Sequence, residues 1–219
     1  LCVYTMSRVN DELESMTRRN KIIWEQTYRL SDSYKTETGK IIDTFDEKDI
    51  EKINEYMSSK TLNEKVVKVV KEDQLRVAQI VAEKGVVPLV VNSGSQNDPT
   101  RIVESGPVGP EWDLMRRSNI CNSISPDLMY PIKPGRSIYF PSITIFRSET
   151  YTNIKPFDVS ILTTLPISSP GIIQTQENGK ITEAYENIRD ETRMRERIER
   201  IFQVAMRWHY NCIIINDFG

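Results

Sequence analysis

The spacing of apolar residues divides the chain into two regions. In residues 1–62, sparse apolar side chains such as Ile23, Trp24 and Ile53 recur three or four positions apart among charged residues. This spacing predicts two or three amphipathic helices, separated by the polar stretch SDSYKTETGK. We interpret residues 1–62 as a helical N-terminal extension and residues 63–219 as an α/β domain.

The pattern after residue 63 is typical of strands that alternate with helices. The β-branched run KVVKVV predicts a strand, and Asp73 is a candidate N-cap for a helix over QLRVAQIVAEK. Gly85 stands where a glycine commonly ends a helix, and VVPLVVN then predicts a second, buried strand. A strand, a helix and a strand in such close succession indicate the βαβ unit of a parallel sheet.

The remaining segments continue the alternation. We expect a helix at EWDLMRRSNICNSI, a strand at RSIYFPSITIFR interrupted by Pro141, and a nearly continuous apolar strand at FDVSILTTLPI. A loop or short hairpin follows at SSPGIIQTQENGKI, then a long helix with Met194, Ile198, Ile201 and Phe202 on one face, and a last strand at NCIIIND. The predicted fold class is α/β, with helices on both sides of a mixed, mostly parallel sheet.

Composition and charge exclude several functional classes. The 29 basic residues nearly balance the 31 acidic ones, so no overall field attracts nucleic acid or an anionic membrane. Three scattered cysteines and a single histidine, His209, form no metal-binding pattern, and we expect neither a metal nor a cofactor. The unpaired cysteines and the lack of a secretory signal predict a reducing, intracellular location, cytoplasmic or nuclear.

The candidate site lies in the loop that follows VVPLVVN. The sequence contains no GxSxG, GxxxxGK[ST] or GxGxxG motif, which argues against a nucleophile elbow, a P-loop and a dinucleotide-binding turn. In open α/β sheets, ligands bind at the carboxyl ends of strands, where backbone N–H groups suit phosphate or ribose. Residues 92–96, NSGSQ, fit this role, although the same residues could simply form a turn.

Several strings, in order along the chain, resemble the microbial-type poly(ADP-ribose) glycohydrolases, a branch of the macrodomain fold. They are DQLRVAQIVAEKGVVPLVVNSGSQNDP, DLMRRSNI, IYFPSITIFRS, FDVSILTTLP and RMRERIERIFQVAMRWHYNCIIINDFG. The resemblance covers residues from about 65 to the end and implies a three-layer α/β/α macrodomain-like fold. It also implies ADP-ribose, or an ADP-ribosylated protein, as the ligand.

The catalytic signature implied by this resemblance is not retained. The family carries a triple glycine and then Gln-Glu-Glu, whose second Glu donates the proton to the leaving ribose oxygen. The triple glycine falls on TRI at residues 100–102, and Gln-Glu-Glu falls on Pro110, Glu111 and Trp112. Trp112 cannot donate that proton. Glu111 is either a displaced general acid or a first-turn residue whose negative charge interacts favourably with the helix dipole.

The second loop implied by the resemblance also departs from the family. Instead of a glycine-rich phosphate loop, the last strand leads to Asn216, Asp217, Phe218 and Gly219, and the carboxylate of Asp217 would repel a diphosphate. The sequence ends within this loop, from which we expect that it is a fragment.

Three functional hypotheses follow from these observations. The first is an ADP-ribose or nucleotide-binding or interaction module with impaired catalysis, in effect a pseudoenzyme; the second is an active glycohydrolase that uses Glu111. The third is a scaffold without a nucleotide ligand, whose pocket is filled by Trp112, Arg101 and Ile102. If ADP-ribose binds, the expected contacts are Asn92, Ser93, Gly94, Ser95, Gln96, Arg101, Trp112, Phe218 and Gly219. The N-terminal helices are a candidate surface for a protein partner.

Overall fold

The computed structural model describes residues 3–59, 67–167, 169–177 and 180–216. Its helices are α1 (Val3–Ser31), α2 (Glu47–Ser59), α3 (Gln74–Ala82), α4 (Pro99–Ile102), α5 (Pro110–Arg117), α6 (Pro126–Met129) and α7 (Ile188–Arg207), with 3₁₀ turns at Val103–Ser105 and Ile120–Ser123. Its strands are β1 (Lys40–Ile42), β2 (Leu89–Ser93), β3 (Ser137–Arg147), β4 (Asn153–Thr164), β5 (Ile172–Glu177), β6 (Lys180–Tyr185) and β7 (Ile213–Ile215). The predicted domain boundary at residues 62 and 63, together with Asp217, Phe218 and Gly219, lies outside the described residues.

The main sheet is mixed, as predicted, and has the strand order β1-β3-β4-β2-β7. Strand β2 is parallel to both β4 and β7, whereas β3 is antiparallel to both β1 and β4. Within this five-stranded sheet two pairings are parallel and two are antiparallel, so the sheet is mixed, as expected, although parallel pairings are not in the majority. Strands β5 and β6 form a separate antiparallel hairpin, in the segment where a loop or short hairpin is expected.

The predicted βαβ unit is not formed in the described residues. Residues 67–70 of the KVVKVV run are not in a strand, and Val67, Val69 and Val70 are exposed. Strand preference is satisfied only when a neighbouring strand supplies hydrogen bonds and cover, and here β2 pairs instead with β4 and β7, which come later in the chain. The helix α3 is as predicted: the Asp73 side chain accepts a hydrogen bond from Arg76 N at 2.8 Å.

Two further boundaries differ from the sequence-based expectation. Residues 40–42, within the region predicted to be helical, form β1 and pair with β3 at the edge of the sheet. The helix predicted at EWDLMRRSNICNSI ends at Arg117, because Ser118 is extended and forms a bridge with Ile145 on β3. Pro141 does interrupt β3, since the pairing with β4 shifts register between Phe140 and Ile143.

Alternating residues of β2 divide the core between the two faces of the sheet. Val90 packs with α3, α5 and the Trp24 side chain of α1, whereas Leu89 and Val91 pack with α7. The layers are therefore helix, sheet and helix, which confirms the three-layer α/β/α architecture. On α7, Met194 and Ile201 are buried as predicted, but Ile198 and Phe202 are exposed. No helix among the described residues combines the length and the apolar character that crossing a membrane requires.

A buried arginine of α5, Arg117, joins that helix to β3 and to the N-cap of α3, and its Nε donates to Arg147 O of β3 at 3.3 Å. The Arg117 guanidinium bonds both carboxylate oxygens of Asp73, at 2.8 and 2.9 Å, and Asp113 at 2.8 Å. Burial by itself would raise the pKa of Asp73, but the hydrogen bond and the charge of Arg117 outweigh it and lower that pKa. The neighbouring Arg116 is buried beside Tyr151 and forms no ion pair within the described part of the chain.

Replacing Arg117 with methionine keeps most of the side-chain volume and removes the charge. Because Asp73 and Asp113 keep 24% and 31% of their side chains exposed, they can recover part of their hydration. We expect a loss of about 3 kcal/mol in the free energy of unfolding, at the low end for breaking a buried ion pair. Urea denaturation measures it.

The matched control is Arg193→Met, because Arg193 is 63% exposed in its pair with Asp190. This variant is expected to change the free energy of unfolding by less than about 1 kcal/mol. Equal losses in the two variants would contradict a structural role for the Arg117 pairs.

Candidate functional site

The candidate site is built at the carboxyl end of β2. Because β2 is parallel to both of its neighbours, the carboxyl ends of β2, β4 and β7 meet at one edge of the sheet. At this edge Asn92 lies opposite Thr163 of β4, and its Nδ2 donates to Thr163 Oγ1 at 3.1 Å. Asn92 is only 4% exposed, so it forms the floor of the site rather than its rim.

Glu111 points into this site from the first turn of α5. Its side chain is 6% exposed, and its Oε2 accepts hydrogen bonds from Ser95 N at 2.9 Å and Ser95 Oγ at 2.5 Å. Desolvation by burial raises the pKa of Glu111, although the hydrogen bonds from Ser95 and Asn92 oppose that rise. The one-residue displacement in the sequence therefore does not turn Glu111 away from the loop after β2.

Gly94 allows this close approach between the loop, β4 and Glu111. A Cβ atom at Gly94 would lie 2.3 Å from Thr163 Cγ2 and 3.2 Å from Glu111 Oε1. The first distance is too short for a real contact, so with any larger residue either the Thr163 side chain or the loop would have to shift.

The space around the Glu111 carboxyl is small and mostly apolar. It measures about 10 Å³, which is room for about one water molecule. Its lining residues are Asn92, Pro99, Glu111, Leu114, Met115, Ile120, Ile124, Tyr130, Phe140 and Thr163. Burial, followed by the charges of Glu111 and Asp98, raises the pKa of Tyr130, so its hydroxyl stays protonated. This cavity solvates a carboxylate poorly, which explains the raised pKa of Glu111.

Two of the predicted backbone donors are used within the fold. Gly94 N donates to Thr164 O at 3.0 Å, and Ser95 N donates to Glu111. Gln96 is exposed, and its carbonyl accepts from Ile132 N at 2.8 Å. Hydrogen bonds to β4, to α5 and to Ile132 therefore hold the loop in place.

The residues that replace the triple glycine form the helical turn α4. Asp98 caps this turn by accepting from Thr100 N at 2.9 Å and Thr100 Oγ1 at 2.6 Å. The Arg101 side chain is 86% exposed and pairs with Asp98 at 3.6 Å, and Ile102 is 37% exposed. Neither of these side chains lines the cavity around Glu111, contrary to the hypothesis that they fill the pocket.

Trp112 does not line that cavity either. Its half-buried indole packs against the core on the α5 side of the sheet. Because successive residues of a helix are rotated by about 100°, Glu111 faces the loop while Trp112 and Asp113 face away from it. Asp113 Oδ1 instead accepts from the Tyr151 hydroxyl at 2.6 Å.

The sequence-based reasoning missed three residues of this edge of the sheet. Thr163 and Tyr130 contribute to the cavity, and Gln74 Nε2 donates to Val91 O at 2.9 Å and Ile214 O at 3.2 Å. The Gln74 amide thereby ties the carboxyl ends of β2 and β7 together. The polar threonines at the end of FDVSILTT could have indicated Thr163, but no sequence pattern indicates the long-range contacts of Gln74 or Tyr130.

The described residues contain no group of three His, Cys, Asp or Glu side chains that could hold a metal ion.

The last strand ends at Ile215. The contacts predicted for Phe218 and Gly219 therefore remain predictions.

Structural comparison relates this fold to known proteins, whereas no family profile and no curated protein sequence matches the chain. The poly(ADP-ribose) glycohydrolase of Thermomonospora curvata superposes with a TM-score of 0.65 at 14% identity, over 90% of this chain and 78% of that one. The same enzyme bound to the inhibitor ADP-HPD gives a TM-score of 0.65 at 14% identity, with 90% and 77% of the two chains covered. The Deinococcus radiodurans enzyme in complex with ADP-ribose gives 0.59 at 18% identity, with 80% and 71% covered. The resemblance found in the sequence is confirmed at the level of the fold.

Replacement of Glu111 by glutamine tests the burial of its carboxyl. A pKa raised in the folded state means that folding favours the protonated acid, so the wild type loses stability as the pH rises above the ordinary value of 4.5. The glutamine variant does not ionise. Its free energy of unfolding relative to the wild type should therefore increase from pH 4.5 towards neutrality, by at most about 1.4 kcal/mol per pH unit.

Urea denaturation at a series of pH values measures this difference. Glu104→Gln is the control, because Glu104 is exposed on the 3₁₀ turn that follows α4. A Glu111→Gln difference that does not vary with pH would show that the carboxyl is well solvated.

Proposed function

We propose that this chain is an ADP-ribose-binding module of the macrodomain type whose hydrolytic activity is impaired. The observation that carries the proposal is the cluster of Asn92, Ser95 and Glu111 at the carboxyl ends of three parallel strands. The structural comparison supports the proposal, because the fold is similar to that of poly(ADP-ribose) glycohydrolases. One of these, the Deinococcus radiodurans enzyme, has a structure in complex with ADP-ribose. The ligand is either free ADP-ribose or an ADP-ribosylated protein.

In this proposal the ribose hydroxyls bind over Asn92 and the loop after it. Hydrogen bonds from Asn92 to Thr163 and from Ser95 to Glu111 already order the amide and the carboxyl. These side chains therefore lose little conformational entropy when a ligand binds. The diphosphate then lies towards the end of β7, near Phe218 and Gly219. Arg101 can leave its exposed pair with Asp98 at low cost and bond a phosphate instead.

The expected impairment follows from the residues that replace the catalytic signature. The indole N–H of Trp112 is too weak an acid to protonate a leaving ribose oxygen, and removal of a general acid typically costs a factor of about 10² to 10⁴ in rate. In this proposal α4 carries side chains at the positions that the resemblance assigns to glycines, which reduces access of a ligand to the backbone there. The first change opposes catalysis directly, whereas binding keeps Asn92 and the loop after it.

The second candidate function is hydrolysis with Glu111 as the general acid. The observation that favours it is the buried carboxyl with a raised pKa in the cavity beside Asn92. In such a reaction the bond between ribose C1 and the leaving oxygen breaks. The leaving oxygen keeps the electron pair of that bond and takes a proton from Glu111. Water then adds to C1 and returns a proton to the carboxylate.

Calorimetric titration with ADP-ribose, and with AMP as the reference ligand, tests the binding proposal. We expect micromolar affinity for ADP-ribose. The substitution Asn92→Ala should weaken this affinity by at least about tenfold, because a buried hydrogen-bonding partner is removed. The control is Asn211→Ala, since Asn211 is exposed just before β7 at the opposite end of that strand. Thermal denaturation of both variants verifies that they fold.

Absence of heat at millimolar ADP-ribose would contradict the binding proposal. It would favour the hypothesis of a scaffold whose function lies in contacts with another macromolecule.

Release of ADP-ribose from a poly(ADP-ribose) substrate distinguishes the two candidate functions. If Glu111 is the general acid, Glu111→Gln should lower turnover by about 10² to 10⁴. Wild-type activity should then fall as the pH rises through the raised pKa of Glu111, since only the protonated form donates. Turnover that is unchanged in Glu111→Gln would rule out this role for Glu111.

A further inference from the structure

The buried stripe of α1 continues beyond the part of the helix that packs on the protein. Asn20, Ile23 and Thr27 recur at spacings of three and four, and all are less than 9% exposed. They are held by α5 and its preceding loop: Asn20 Nδ2 donates to Gly106 O at 3.3 Å, and Thr27 Oγ1 donates to Arg116 O at 2.7 Å.

Met16 and Leu13 extend the same stripe towards the start of the helix. They stand four and seven positions before Asn20, so they lie on the same face, yet they are 48% and 53% exposed. They belong to neither of the two core clusters among the described residues. A stripe with alternating spacings of three and four is the pattern by which one helix packs along another.

A groove runs beside this exposed part of the stripe. It has a volume of about 310 Å³ and is lined by Leu13, Glu14, Thr17, Arg18 and Lys21. Apolar atoms of these side chains form its walls, because the stems of Arg18 and Lys21 cover the helix surface. A groove between rows of side chains four residues apart accepts a side chain from a crossing helix.

The charges along this part of α1 are segregated. Glu12 and Glu14 stand on one turn, and Arg18 and Lys21 stand on the next turns. All four are exposed, and none of them forms an ion pair within the described part of the protein. Two such helices in antiparallel orientation place the acidic turn of each against the basic turn of the other, whereas a parallel orientation places like charges together.

We propose that α1 is a self-association surface, on which the Leu13–Met16 stripe of one copy of the chain packs antiparallel against the same stripe of a second copy. Self-complementarity in both apolar pattern and charge is what an isologous two-fold interface requires. The short stripe belongs to the small, weak class of interfaces, so dimers form in the micromolar to millimolar range. This surface is separate from the loop after β2, and its test does not depend on ADP-ribose binding.

Sedimentation velocity of the full chain over this concentration range tests the proposal. We expect concentration-dependent dimers that weaken at high salt, because the exposed charges are then screened. The double variant Leu13→Glu with Met16→Glu should weaken association by at least about tenfold, since it places charge on the apolar stripe. Leu128→Glu is the control, because Leu128 is 75% exposed on α6 and lies outside the stripe.

A mixing experiment isolates the charge complementarity. The variants Glu14→Arg and Arg18→Glu should each dimerise more weakly than the wild type, since each opposes like charges across the pair. An equimolar mixture of the two should recover association as a heterodimer, although the charges within each helix are unchanged by mixing. A chain that stays monomeric throughout the range, or dimers that are insensitive to the Leu13 and Met16 substitutions, would overturn the proposal.

Discussion

The hydrogen bonds from Ser95 to Glu111 join the two segments that make up the candidate site. Ser95 and Glu111 are sixteen residues apart in the chain, and this contact joins the loop after β2 to the first turn of α5. It depends on Gly94, because a side chain there would collide with Thr163. It also depends on a cavity of apolar residues, which exclude water and keep the carboxyl protonated more readily than in solution. The position of Asn92 and the chemistry of Glu111 therefore follow from one packing arrangement.

This arrangement gives the polar floor of the candidate site and residues 99–112 different surroundings. The floor of the site is held by the hydrogen bond between Asn92 and Thr163. Residues 99–102 form a capped helical turn, and the Arg101 side chain is exposed. Trp112 packs against the core of the protein. Glu111 supplies the buried carboxyl at this edge of the sheet.

The long helix α1 combines two kinds of surface along one stripe. Its second half covers the back of α5 through Asn20, Ile23 and Thr27. The preceding turns have the same apolar spacing, but their apolar side chains are exposed. Their acidic and basic residues face each other when two such helices pack in opposite directions. The predicted helical extension is thus partly structural, since it covers the core, and partly a candidate surface for association.

Local sequence patterns were sufficient to predict the fold class, most of the helices and strands, and the position of the candidate loop. These follow from local patterns: apolar spacing identifies α3 and α7, the apolar runs identify β2 and β4, and the loop after a buried strand identifies residues 92–96. Local patterns failed where a partner distant in the chain decides the outcome. The valines of residues 67–70 have strand preference without a neighbouring strand in the described structure, whereas residues 40–42 become a strand because β3 offers an edge. Long-range packing determines that Glu111 faces Ser95, that Arg101 and Ile102 lie outside the cavity, and that Gln74 and Tyr130 approach the site. Helix rotation and burial set these contacts, and they depend on how separate elements pack.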